Sequence, residues 1–356
     1  MAIALTPGQL YFIRDVDYLT GEVGRYIKIG IVTNNRTTEQ RMKDHQTGNP
    51  RGIIEVHEVK DVPFVERLET QLHYENIEKW IAGEWFLLDD AEVQLVVKRA
   101  TDLKIEQQDN EATIKDVLTR LNQQVSNEII VPRTTKAEAI EKRLLDVKSR
   151  MNILNALIEI SKFEFYTVLG TNGSIDKVLK IRYTPASFSF DEASFKNDHP
   201  SLYSSYLVSQ PDKLNYKFTL KNVKSVSLEK TDAALHDQFK ALGTTTFQKS
   251  QLNNILPRTK TIEEMHIKHL FLVKEQKLLE FEYELLECKL KQLVDINLGI
   301  EEICTWSRVL TSSKDTFNSK KLKEDDPSLY DKYCTKLKAE IFSMEIEKFR
   351  SYKPIP

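Results

Sequence analysis

Cysteine is scarce in this chain. Three residues, Cys288, Cys304 and Cys334, serve 356 positions, all in the last quarter and without CxxC spacing. An odd, unspaced set argues against a zinc site and predicts free, mostly buried thiols in a reducing compartment. Charge of one sign is not in excess either: 51 Lys and Arg against 53 Asp and Glu leave a formal net charge of −2. Any contact with a polyanion must therefore come from local basic patches. No apolar run approaches the ~18 residues of a membrane span, and the N-terminus lacks an apolar signal core, so a cytoplasmic protein with no membrane partner is expected. The 40% of hydrophobic residues is enough for two or three domains to bury cores of their own.

What the chain does have is an ordered set of short blocks between Gly8 and Phe86. Gln9-Leu10-Tyr11-Phe12-Ile13 and Tyr26-Ile27-Lys28-Ile29-Gly30 alternate as two strands of a hairpin, joined by a loop with Asp17, Gly21 and Gly24. Thr37 or Thr38 can cap a helix that carries Arg41 and His45 and stops at Gly48-Asn49-Pro50. Four residues apart, those two side chains share one helix face. A third strand follows at Ile53 to Val59. From Pro63 to Trp80 the spacing of Val65, Leu68, Leu72 and Ile77 predicts a helix with Glu66, Glu69 and His73 on adjoining faces. Gly83-Glu84-Trp85-Phe86 opens a short strand, and a helix starts at Asp89.

Taken singly, each polar residue reads as ordinary: a sheet tyrosine, solvated charges, satisfied helix histidines. Their order resembles the GIY-YIG nuclease superfamily, and most closely its phage-type branch, in which the second signature reads Lys-Ile-Gly and the domain closes on Gly-Glu-Trp-Phe. The resemblance covers roughly the first hundred residues. It implies a small antiparallel sheet flanked by helices and a metal-dependent DNA endonuclease. Tyr11 would take or relay the proton of the attacking water. Lys28, standing where many relatives have the second tyrosine, would lower the Tyr11 pKa. Arg41 would grip the scissile phosphate and His45 position water or donate to a phosphate oxygen. Glu69 would be the lone carboxylate ligand of Mg2+ or Mn2+, and His73 would orient Glu69 or touch DNA. Lys43 and Arg51 would reach the DNA backbone. Glu84 reads either as a structural anchor or as a second acidic group at the site.

The remainder contains a duplication. Ile130-Val131-Pro132-Arg133-Thr134 is answered by Ile255-Leu256-Pro257-Arg258-Thr259, Ile175-Asp176-Lys177-Val178 by Ile300-Glu301-Glu302-Ile303, and Pro200 to Tyr203 by Pro327 to Tyr330. Thr-x-x-Glu at Thr135 to Glu138 and at Thr261 to Glu264 predicts a capping box for a long helix in each copy. Ile140, Leu144, Val147, Met151, Leu154 and Ile158 form a heptad seam, as do Leu272, Gln276, Leu279, Tyr283, Leu286 and Leu290. The seams would pair within one chain or across a homodimer. The end of the first copy, from Phe190 to Tyr206, resembles a segment near the ends of some phage-type recombination nucleases.

The expected fold class is α+β: the small sheet domain over residues 1–103, then two tandem, mainly helical modules with small β elements over 104–211 and 212–356. Between the copies, Lys217, Lys221 and Lys224 interleave with Tyr216 and Phe218, which fits either a nucleic-acid-binding ribbon or a solvated edge strand. DNA, a second copy of the chain, and a protein partner for the duplicated module are the partners this reading implies. Its rivals are a non-cleaving DNA-binding protein of the same fold and a helical scaffold with an accessory first domain.

Overall fold

The computed structural model describes residues 5–33, 36–47, 49–223, 233–234, 236–237, 247–312 and 314–355. Its first part is built on the expected hairpin. Strands β1 (Gly8–Val16) and β2 (Tyr26–Thr33) pair antiparallel with Tyr11 opposite Gly30. Helix α1 (Thr38–Gln46) is capped by Thr37, whose side chain accepts from the Gln40 amide. Strand β3 (Gly52–Val62) returns along the other side of β1.

Helix α2 (Val65–Glu75) ends five residues before the expected Trp80. The chain then makes a tight turn into β4 (Trp80–Ala82) and β5 (Trp85–Leu87), so Trp80 belongs to a sheet edge. The order is β3-β1-β2-β5-β4, all antiparallel. Period-2 alternation divides β1: Leu10 and Phe12 join Ile27 and Ile29 against α2 and α3 (Asp90–Thr119), while Tyr11 and Ile13 pack with Met42 of α1. Helix α3 runs without a break through the 103/104 boundary.

In the duplicated part each copy has the same elements in the same order. The first has β6 (Ile130–Val131), α4 (Thr135–Leu169), β7 (Ser174–Ile175), β8 (Leu179–Thr184), β9 (Ser187–Ser189), α5 (Glu192–Asp198), α6 (Pro200–Ser205), β10 (Leu207–Val208) and β11 (Lys213–Leu220). The second has β12 (Ile255–Leu256), α7 (Lys260–Val294), β13 (Gly299–Ile300), β14 (Cys304–Thr311), β15 (Thr316–Phe317), α8 (Ser319–Asp325), α9 (Pro327–Lys332), β16 (Lys336–Lys338) and β17 (Ile341–Ile346).

The copies are interleaved across residues 211 and 212. Strand β6 pairs with β13 and β12 with β7; β11 pairs with β14 and β17 with β8; β10 pairs with β15 and β16 with β9. Every pairing maps onto another when the copies are exchanged, which is the signature of a pseudo-twofold axis. The side chains follow suit. Tyr333 donates to Asp198 at 2.6 Å and Tyr206 to Asp325 at 3.0 Å.

Helices α4 and α7 pack on one another antiparallel, with Arg143 on Glu282 at 2.9 Å and Ser161 against His269 at 3.2 Å. The chain thus fills its own seam, which removes the reason the heptads gave for a second copy. The helix caps sit earlier than the Thr-x-x-Glu pattern predicts: Thr134 and Thr259 are the N-caps. Arg133 draws away the carboxylate of Glu138 at 2.7 Å, and in the second copy Arg258 holds Glu263, the neighbour of the expected Glu264, at 2.6 Å. All three cysteines are free. Among the described residues no helix is long and apolar enough to cross a membrane.

Candidate functional site

The site forms where α1 lies over one face of the sheet and α2 borders it. Tyr11 is 1% exposed. Its ring lies over Gly30, where a Cβ would come within 2.5 Å of the phenol oxygen. Glycine is needed there for space, because the tyrosine occupies the volume a side chain would take. Burial, more than any other cause, pushes the Tyr11 phenol up to about 12, although a hydrogen bond from Arg41 works in the other direction. The phenol therefore keeps its proton at neutral pH, and its oxygen shares a hydrogen bond with His45 Nε2, 2.9 Å away.

His45 is tuned the opposite way. Burial, then the charges of Lys28 and Arg41, hold it below its ordinary value of 6.5. A neutral imidazole facing a buried phenol is a proton acceptor beside a hydroxyl. This corrects the expected role of Lys28. Its ammonium is bound by Glu84 in a partly buried ion pair, and Tyr11 is raised, not lowered. The ammonium acts on the imidazole instead.

Glu69, on α2, is a carboxylate without a home. Its Oε1 is buried and has no hydrogen-bond partner. Burial, with the Glu84 charge second, pushes its pKa from 4.5 up to about 8. Such an oxygen costs folding free energy unless a cation or a proton meets it. This fits a hard divalent ion held by one carboxylate, with waters and phosphate oxygens as the other ligands. Among the described residues no cluster of three or more His, Cys, Asp or Glu side chains is placed to hold a metal. Arg41 stays partly exposed, with Asp44 at 3.8 Å. Tyr11, Lys28, Arg41, His45, Glu69 and Glu84 are thus gathered within electrostatic reach of one another.

Other candidates fall elsewhere. His73 is buried between Trp80 and Phe86, with ring centroids 5.1 Å away in both cases, and its Nε2 donates to the Ile29 carbonyl at 3.0 Å. It is a core residue bracing β2 against α2 and cannot touch DNA. Arg51 is held by Asp15, by Asp17 at 3.3 Å and by the Glu22 carbonyl at 3.0 Å, so it ties the hairpin loop and is not free for a phosphate. Lys43 is exposed and pairs with Glu39 at 2.8 Å.

Lys217 is exposed on the edge strand β11, but strand alternation puts it opposite Tyr216 and Phe218. Phe218 packs into the core near Trp306, so lysines and aromatics do not share a binding face. Lys221 is half-buried beyond the strand, with its amide on the Ile303 carbonyl. Lys224 lies outside the described residues.

Sequence reading missed Glu58, which accepts a hydrogen bond from the buried Thr38 hydroxyl and so pins the start of α1 to β3. Strand alternation alone could have placed it on the α1 face with Tyr11's neighbours, but nothing signalled its partner.

Residues 8–101 match the family model described as the T5orf172 domain. No curated protein and no solved structure matches the chain.

Proposed function

We propose that the first domain is a metal-assisted nuclease that hydrolyses phosphodiester bonds of DNA. The observation that carries this reading is the buried, unpartnered Oε1 of Glu69 beside the Tyr11–His45 pair and Arg41. The matched T5orf172 domain, phage-associated and linked to GIY-YIG and HNH-type nuclease families, supports it.

In this reading Glu69 holds Mg2+ or Mn2+, which when bound supplies positive charge to polarise the phosphate. The attacking water gives a proton to the Tyr11 oxygen as Tyr11 passes its own to His45 Nε2, leaving an imidazolium. The water oxygen bonds to phosphorus and the opposite P–O bond breaks, releasing an alkoxide that takes a proton from solvent. Arg41 meets the charge that builds on the phosphoryl oxygens. Glu84 keeps the Lys28 ammonium beside His45, which favours the neutral imidazole before the reaction.

The test is nicking of supercoiled plasmid by the purified chain with Mg2+ or Mn2+. Metal-dependent nicking that disappears in Glu69→Gln supports the proposal. DNA binding with no nicking under either metal would replace it with the non-cleaving reading.

A further inference from the structure

The last residues of the second copy reach back to the first domain. After β17 the chain is fastened on α7: His266 meets the Glu347 carbonyl at 2.7 Å and the Tyr352 hydroxyl at 2.9 Å. Arg258 donates to the Lys353 carbonyl at 3.1 Å, and the Ile355 amide donates to Glu263 at 3.1 Å. Between these anchors Phe349 and Arg350 project into the first domain. Phe349 packs edge-on against Trp80 with ring centroids 5.2 Å apart and joins the core of that domain. The Arg350 amide donates to the Trp80 carbonyl at 2.9 Å and its guanidinium to the Glu78 carbonyl at 3.0 Å.

Trp80 begins the β4–β5 hairpin, whose tip carries Glu84. Its indole N–H donates to the Gly83 carbonyl at 2.6 Å, and Gly83 has a positive φ of 54° that aims the next residue. Glu84 then accepts the Ile29 amide on its backbone at 3.0 Å and the Lys28 ammonium on its side chain. One tryptophan thus links the C-terminal segment to the carboxylate that holds Lys28.

We propose that the segment Glu347–Tyr352, fastened on α7, is a clasp in which Phe349 and Arg350 are positioning residues: they hold the β4–β5 hairpin so that Glu84 presents Lys28 to the site. The duplicated module thereby supplies part of the catalytic geometry of the first domain. The catalytic half of this inference rests on the nuclease reading.

The experiment uses the full chain with Phe349→Ala, the milder Phe349→Leu, and Phe349→Tyr as the conservative variant. Amide hydrogen exchange over residues 26–30 and 80–87 reads the clasp without reference to activity. Exchange there should rise about tenfold in Phe349→Leu and return to the parent rate in Phe349→Tyr. Single-turnover nicking at saturating DNA should fall about tenfold in Phe349→Leu, with DNA affinity within about twofold of the parent, and recover in Phe349→Tyr. Unchanged exchange in both Phe349→Leu and Phe349→Ala would overturn the clasp. Faster exchange with an unchanged rate would overturn its catalytic role. Absence of nicking by the parent chain is failure of the nuclease reading instead, and the exchange result still decides whether the clasp exists. Should Phe349→Ala unfold, Phe349→Leu carries the test.

Discussion

The two parts of the molecule arrange their charged groups differently. In the duplicated module, ionic groups come in reciprocal sets: Arg133 is shared by Glu138 and Glu302, and Arg258 by Glu263 and Asp176. In the first domain, the cluster around Tyr11 leaves a buried carboxylate oxygen with nothing to bind. Charged groups that satisfy one another fix architecture; a buried one that has no partner is held in place by architecture for another purpose. Removing a partner should therefore damage the module, whereas removing the unsatisfied group should relieve the first domain and silence it.

The largest expected effect follows from Glu69→Gln, which should cost at least about 10²-fold in metal-dependent nicking. The same variant should be more stable than the parent in the absence of metal. Glu69 is raised from 4.5 to about 8 on folding, so its contribution to stability is full below pH 4.5 and is lost as pH rises toward 8. Melting temperatures of the two proteins should agree at pH 4 and diverge through pH 8 in favour of glutamine. A parent that stays the more stable at pH 8 would mean that Glu69 has a partner and the contrast is false.

Tyr11→Phe should cost about 10²-fold in nicking with little change in melting temperature, since the ring still fills the space over Gly30. An equal loss of stability and activity would make Tyr11 a core residue only.

In the module, Arg258→Met leaves the buried Glu263 without its ion-pair partner and should destabilise by about 3 kcal/mol in urea unfolding. Its counterpart Arg133→Met should cost far less, because that side chain is 45% exposed against 13% for Arg258. Equal losses would show that the interleaved halves share load evenly despite their unequal burial.

The smallest effect concerns Lys28→Met. Because the ammonium depresses the His45 pKa, its loss should move the acid limb of the pH–rate profile upward. A limb that moves down, or an activity that rises only at strongly alkaline pH, would restore the phenolate role that Tyr11's burial argues against.

Local pattern disclosed much of the first domain. Alternation placed β1 and β2, Thr37 marked α1, and the Arg41–His45 spacing put both side chains on the sheet face that carries Tyr11. The rest depended on distance in the chain. Nothing near Arg51 shows that Asp15 and Asp17 will claim it, and nothing near His73 shows that Trp80 and Phe86 will enclose it. The duplication was visible as repeated words, but the exchange of strands was not, because the partner of Ile130-Val131 is chosen by a sheet that exists only when both copies are present. Lys28 was legible as a charge beside Tyr11 and illegible as the partner of Glu84, a pairing set by the β4–β5 hairpin.

The strand exchange also sets a timetable. The strand Ile130–Val131 leaves the ribosome long before its neighbour Gly299–Ile300, and Leu179–Thr184 long before Ile341–Ile346. At roughly 5–20 residues per second the interval is on the order of ten seconds. Throughout it the first copy offers unpaired strand edges and half of an apolar helix seam to whatever is nearby. The strands of the first domain's sheet pair only with one another and can do so while translation continues. Nascent chains stalled before the second copy should therefore display a paired first-domain sheet, its core still lacking Leu270 and Phe349, followed by a sticky, chaperone-dependent tail.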